Sequence, residues 1–167
     1  MVSLKQTLYD RLAAYIIENQ DKFYRLAFSY VKNQDDALDV VQNAVCKALE
    51  NYESLRDEAA LRTWFYKILV NESYACLNAR KRVVLTDESS CWEIPCEENG
   101  YEIQDDLYER IGRMEKDVQS IIKLRFFEEM TFNEIAGILK MNHNTVKAKL
   151  YRGLKALRVE IGEERGA

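Results

Sequence analysis

Two stretches of this 167-residue chain set cations and hydrogen-bond donors at helical spacing. In FNEIAGILKMNHNTVKAKLYRGLKALR, a short helix carrying Ile135, Ala136 and Leu139 is followed by a break at Lys140-Met141-Asn142. A second helix then carries Val146, Leu150, Leu154 and Leu157. This spacing predicts a helix-turn-helix, with Ile135, Met141, Val146 and Leu150 filling the angle and Asn142 capping the second helix. If the apolar row faces inward, the outward face holds Asn144, Lys147, Ala148, Tyr151, Arg152 and Lys155, and nearly all of these are donors. Helices that enter a major groove read base edges from their first turns and bind phosphates further along. His143, Asn144, Lys147 and Ala148 are therefore expected at base edges, and Thr145, Lys149, Arg152 and Lys155 in phosphate or capping roles.

The second stretch, LRTWFYKILVNESYACLNARKR, interleaves Trp64, Phe65, Tyr66 and Tyr74 with Arg62, Lys67, Arg80, Lys81 and Arg82. Unpaired bases stack on rings while cations track the backbone, so this composition suits single-stranded nucleic acid. Trp64, Phe65, Ile68 and Leu69 also read as plain core. Asn71, Tyr74, Asn78 and the Arg80-Lys81-Arg82 run are the candidates left for strand contact.

Charge must be divided along the chain before it argues for or against a polyanionic partner. The net charge of −4 resolves into +1 for residues 1–82, −8 for 83–106 and +3 for 107–167. Lys140 to Arg158 holds six Lys/Arg and no acid, and Arg62 to Arg82 holds five cations against Glu72 alone. The acidic middle carries the only proline, Pro95, and has no helical period, which marks a linker between two domains. It reads either as a solvated tether or as a nucleic-acid mimic drawn to a basic cleft.

The elements that position these groups are helices. One proline and six glycines leave too little turn punctuation for a β-sandwich or a Gly-rich dinucleotide fold. Leu4, Leu8, Leu12, Tyr15 and Ile16 form one stripe, and Phe23, Leu26, Ala27, Tyr30 and Val31 another. DDALDVVQNAVCKALENY opens with Asp35 and Asp36 against a helix N-terminus. Its apolar positions are Ala37, Leu38, Val41, Val45, Ala48 and Leu49, and its polar stripe is Asp36, Asp39, Gln42, Asn43 and Lys47. A helix over 58–82 carries Leu61, Trp64, Phe65, Ile68, Leu69 and Leu77. Beyond the linker, Leu107 to Met114 predicts a short helix, and Val118 to Phe126 a longer one. The fold class is all-α, in two small helical domains, 1–82 and 107–167, joined by a flexible acidic linker at 83–106.

Enzymes are disfavoured. No Ser/His/Asp or Cys/His set and no phosphate loop is visible, and His143 is the only histidine. Four cysteines without a CxxC pair argue against structural zinc, and no cofactor is expected. The N-terminus lacks an apolar signal core, so a reducing cytoplasm and free thiols at Cys46, Cys76, Cys91 and Cys96 are expected. Cys91 and Cys96 are spaced for a disulfide that such a compartment disfavours.

In segment order the chain resembles the extracytoplasmic-function group of bacterial RNA polymerase sigma factors, in the sigma-70 family. DDALDVVQNAVCKALE looks like the region 2.2 helix that docks on the polymerase clamp. TWFYKILVNESYACLNARKR looks like the segment that opens and reads the minus-ten element. RMEKDVQSIIKLRFFEEMTFNEIAGILKMNHNTVKAKLYRGLKALR is similar to region 4, which reads the minus-thirty-five element. The resemblance implies that Asp36, Asp39, Gln42 and Asn43 contact core polymerase. It places Asn71, Tyr74, Asn78 and Arg80 at the melted strand, and His143, Asn144, Thr145, Lys147 and Arg152 at the upstream duplex. It also implies a monomer when free, a linker running through the polymerase interior, and control by an anti-sigma factor; no small-molecule substrate is expected. The chain departs from the family with Ala75 and Asn78 where Asp and Arg are frequent, and with Asn43 where Glu is common. It has Lys140 where the turn usually has Gly, so a left-handed lysine or an altered turn is expected. The helix over 4–19 has no assigned role. The rival readings are a stand-alone helix-turn-helix regulator, usually a symmetric dimer, and a helical adaptor. The first does not require the basic aromatic segment, and the second leaves the basic face of 143–155 unexplained.

Overall fold

The computed structural model describes residues 4–86, 107 and 109–165, and these form helices and turns with no strand among them. The chain divides into two compact units, Met1–Glu97 and Glu98–Ala167. The expected linker falls outside the described residues from 87 to 106.

The first unit is a four-helix assembly: α1 (Leu4–Glu18), α2 (Gln20–Val31), α3 (Gln34–Glu50) and α4 (Leu61–Thr86). Two residues join α2 to α3, so the helices fold back on each other as a tight hairpin. Lys32 turns the chain in the left-handed region (φ 55°) and donates its N–H to the Phe28 carbonyl at 2.7 Å. Asn33 then starts α3, its side-chain oxygen accepting the Asp36 N–H at 3.1 Å. The core is aromatic. Phe23 and Phe65, both fully buried, lie 4.4 Å apart between ring centroids, with Tyr66 edge-on to Phe23 at 5.6 Å.

The expected α2 stripe is buried in full: Phe23, Leu26, Ala27, Tyr30 and Val31. In α3 the inward row differs from expectation. Ala37, Val40, Ala44 and Ala48 are buried, Val41, Val45 and Leu49 are half-buried, and Leu38 is 47% exposed. Helices pack on both flanks of α3, and a row of small residues lets their backbones approach it. The larger aliphatics sit beside that row. In α4 the buried stripe is Phe65, Tyr66, Leu69, Val70 and Ser73, so Tyr66 is core and Trp64 and Ile68 are half-buried. A 3-10 turn over Glu58–Ala60 precedes α4, and α4 continues past Arg82 to Thr86.

In the second unit, 109–112 is helical and α5 (Lys116–Ile122) follows. A π-helical turn, Lys123–Phe127, extends α5, closed by the Glu128 N–H donating to the Lys123 carbonyl at 3.2 Å. Then α6 (Phe132–Leu139) and α7 (His143–Arg165) form the helix-turn-helix. Thr131 and Glu134 make a reciprocal capping box at the start of α6. Ile121, Leu124, Met130, Ile135, Ile138, Val146 and Leu150 fill the core, while Met141 and Leu154 are half-buried. The turn keeps its usual shape by placing Lys140 in the left-handed region, at φ 56° and ψ 47°. The N–H of Met141 donates back to the Ala136 carbonyl at 3.0 Å.

Candidate nucleic-acid interface

The sequence makes α7 amphipathic in an unusual way, because its inward row includes a glycine. Val146, Leu150, Gly153 and Leu157 are buried. A Cβ on Gly153 would stand 2.6 Å from Val118 Cγ1 and 3.4 Å from Ile122 Cδ1, so the missing side chain is what lets α7 seat against α5. The first helical turn is set by Asn142, whose side-chain oxygen accepts the Asn144 N–H at 2.9 Å. Inward seating leaves Asn144, Thr145, Ala148, Tyr151, Arg152 and Lys155 exposed on the opposite face, with Tyr151 60% exposed. His143 and Lys147 are half-buried beside Phe132, the first residue of α6. The His143 ring meets Phe132 edge-on at 5.7 Å, and Lys147 Nζ lies 5.8 Å from the ring centroid.

Lys149, expected in a phosphate or capping role, is placed differently from the exposed residues of this face. Its side chain is 19% exposed, and its ammonium pairs with Asp117 at 3.3 Å and Glu115 at 3.8 Å. Position 149 follows Val146 by three and precedes Leu150 by one, which turns it toward the acidic start of α5 and away from the outer face. The remaining face still has donors and cations with no carboxylate between His143 and Arg158.

In the first unit, Asp39, Gln42 and Asn43 are exposed along α3, and Leu38 lies among them. Asp36 differs from these three. It pairs with Arg80 Nε at 3.3 Å, and the Arg80 guanidinium also donates to the Val31 carbonyl. Both residues thus join α4 to the α2–α3 corner. Lys47, on the expected polar stripe, forms an ion pair with Glu72 of α4. On α4, Asn71, Asn78 and Lys81 are exposed at steps of seven and three, so they share one face. Tyr74 lies in the same row, half-buried and edge-on to Tyr30 at 5.7 Å, which fixes its ring against the core. The side chain of Arg82 lies outside the described residues.

Among the described residues no three His, Cys, Asp or Glu side chains converge on a metal-sized site. Cys46 is exposed. Cys76 is half-buried, and burial pushes its thiol pKa up, helped by the charges of Asp36 and Asp39 and opposed by Arg80. Cys91 and Cys96 lie outside the described residues. No helix among the described residues is long and apolar enough to cross a membrane.

Comparison with known proteins agrees with this arrangement. Residues 16–83 match the Sigma-70 region 2 family model, and residues 104–157 match the model for Sigma-70, region 4. The RNA polymerase sigma factor SigV of Bacillus subtilis is 43% identical over 161 residues, covering 96% of each chain. The ECF RNA polymerase sigma-E factor of Haemophilus influenzae is 27% identical, covering 85% of this chain and 82% of its own. Among solved structures, the sigma factor RpoE of Bartonella quintana, in complex with the anti-sigma factor NepR, shares the fold. Its TM-score is 0.73 at 22% identity, over 87% of this chain and 93% of its own. With both of its helical units matched and a 43% identical relative along nearly its whole length, the chain belongs to the extracytoplasmic-function group of the sigma-70 family.

Proposed function

We propose that this protein directs core RNA polymerase to promoters by dividing the work between its two units. The first docks on polymerase through the α3 face of Asp39, Gln42 and Asn43 and meets the melted minus-ten strand through Asn71, Asn78 and Lys81 of α4. The second reads the minus-thirty-five duplex with α7. His143, Asn144, Lys147 and Ala148 approach base edges, and Thr145, Tyr151, Arg152 and Lys155 approach the backbone.

The observation that carries this reading is the outer face of α7 from His143 to Arg158, a run of donors and cations free of acid and raised above an apolar row by a helix-turn-helix. Such a face supplies the phosphate attraction and the base-edge donors that duplex recognition needs. The chain as a whole is acidic, which weakens DNA binding by the free protein. Docking both units on one enzyme replaces that missing affinity with effective concentration. The protein therefore acts by binding rather than by catalysis, in the cytoplasm, and as a monomer when free. Residues 87–106 serve as the tether, because α4 takes in 83–86. An anti-sigma factor, the kind of partner with which RpoE was solved, is the proposed controller.

Capture of bacterial core polymerase by the purified chain, followed by run-off transcription on a promoter library, tests the reading. Stable capture with new start sites is expected. Charge reversal in the double variant D39R/Q42R should lower polymerase affinity and leave helicity intact. Absence of capture together with tight binding of the free protein to a palindromic duplex would make it a stand-alone regulator.

A further inference from the structure

Phe132 is the residue around which Arg125, Lys147 and His143 of the second unit converge. It opens α6, immediately after the Thr131 cap, and it is half-buried rather than part of the Ile135–Leu150 core. Three basic side chains from two other segments gather on its ring. The Arg125 guanidinium carbon lies 4.9 Å from the ring centroid, Lys147 Nζ lies at 5.8 Å, and His143 meets the ring edge-on at 86°. Arg125 is itself anchored, donating to the Met130 carbonyl at 2.9 Å, so the ring is held from the π-turn side. The ring's negative face attracts ammonium and guanidinium groups.

We propose that Phe132 is the positioning residue of the duplex-reading face, presetting the His143 ring and the Lys147 ammonium before DNA arrives. The proposal rests on the reading that α7 meets duplex DNA. An exposed lysine loses much rotamer freedom when it is fixed on a base edge. The Phe132 ring imposes part of that restriction in the free protein, so less ordering is left for the complex. The same ring keeps His143 and Lys147 on the α6 side of α7. Asn144 and Ala148 are one position further round on the exposed face, and Phe132 leaves them untouched.

Two measurements on the full chain test this, the first without DNA. In proton NMR the ring current of Phe132 should displace the Lys147 side-chain and His143 ring resonances. That displacement is lost in Phe132→Leu and kept in Phe132→Tyr. The second measurement scores base preference across the minus-thirty-five element in the reconstituted holoenzyme. Phe132→Leu should lose discrimination at the same base positions as Lys147→Ala, by about tenfold. The double variant should lose no more than Lys147→Ala alone, and Phe132→Tyr should restore the preference. Equal thermal midpoints for the Leu and Tyr variants keep misfolding out of the comparison. If Lys147→Ala changes the preference and Phe132→Leu does not, or if their effects add, the positioning role is overturned. If Lys147→Ala changes nothing while polymerase is still captured, the duplex-reading role of Lys147 fails, and the Phe132 proposal fails with it. A missing ring-current displacement in the wild-type protein removes the proposal on its own.

Discussion

Arg80 and Asp36 are 44 positions apart in sequence and 3.3 Å apart in the fold, and their pairing joins the far half of α4 to the first turn of α3. The guanidinium also donates to the Val31 carbonyl at the end of α2, so one side chain ties three helices together. The carbonyl is one of those a helix end leaves without an intrahelical donor. Since α3 carries the proposed polymerase face and α4 the proposed strand face, this pin fixes the angle between the two surfaces.

A double-mutant cycle on Asp36→Asn and Arg80→Gln should therefore show coupling. Both side chains are partly exposed, so the pair term is expected at about 0.5–1 kcal/mol. Arg80→Gln alone should cost more than Asp36→Asn, because it also removes the donor to Val31. Urea unfolding of the four proteins measures this. Purely additive effects would show that the Asp36–Arg80 pair itself contributes no stability.

Cys76 reports on the same pair. Burial and the Asp36 charge hold the thiol above its ordinary pKa, while Arg80 pulls it down. Alkylation of Cys76 by iodoacetamide, followed by peptide mass spectrometry, should reach half its limiting rate at a more alkaline pH than in the unfolded chain. Asp36→Asn should move that midpoint down, and Arg80→Gln should move it up. The fold holds this proton more tightly than the unfolded chain does. The resulting stabilisation is complete below the unfolded thiol's pKa and is lost as pH rises through the higher folded value. A midpoint indifferent to both substitutions would place Cys76 outside the field of the pair.

Much of this was legible in the residues, and the exceptions have physical reasons. The α2 stripe, the corner at Lys140 and the inward row of Val146 and Leu150 followed from helical period alone, because each element buries a single face. The α3 core did not, since that helix is packed on both flanks and selects small Ala37, Ala44 and Ala48 over Leu38. Periodicity also cannot see long-range partners. Arg80 and Lys149 look like free cations in sequence, and only the fold brings Asp36 and Asp117 to them. The role of Gly153 is invisible to periodicity for the same reason, since it lies in the distance to Val118.

The two glycines on either side of the corner should respond in opposite ways to alanine. A Cβ at Gly137, exposed in the middle of α6, meets nothing within 4 Å. Gly137→Ala should stabilise the protein by about 0.5–1 kcal/mol, the usual helical difference between the two residues. At Gly153 the same change drives a methyl onto Val118, a β-branched residue with little rotamer freedom in a helix. Overpacking should outweigh propensity there and give a net loss of about 1–2 kcal/mol. Thermal melting of the two variants decides it, and a rise for both would mean that α5 yields easily to α7.

Salt dependence separates the cations of α7 proposed to meet phosphate from Lys149. Each neutralised phosphate contributes roughly 0.9 to the slope of log affinity against log salt, through released counterions. Removing Arg152 or Lys155, both exposed on the outer face, should lower the slope of holoenzyme binding to promoter DNA by about one each. Lys149 sits inward against Asp117 and Glu115, so Lys149→Met should leave that slope unchanged. Its effect should appear instead in the melting of the free protein, where Asp117 and Glu115 lose their shared cation. A slope that falls on removing Lys149 would mean that the side chain swings out to the DNA and abandons both carboxylates when the duplex binds.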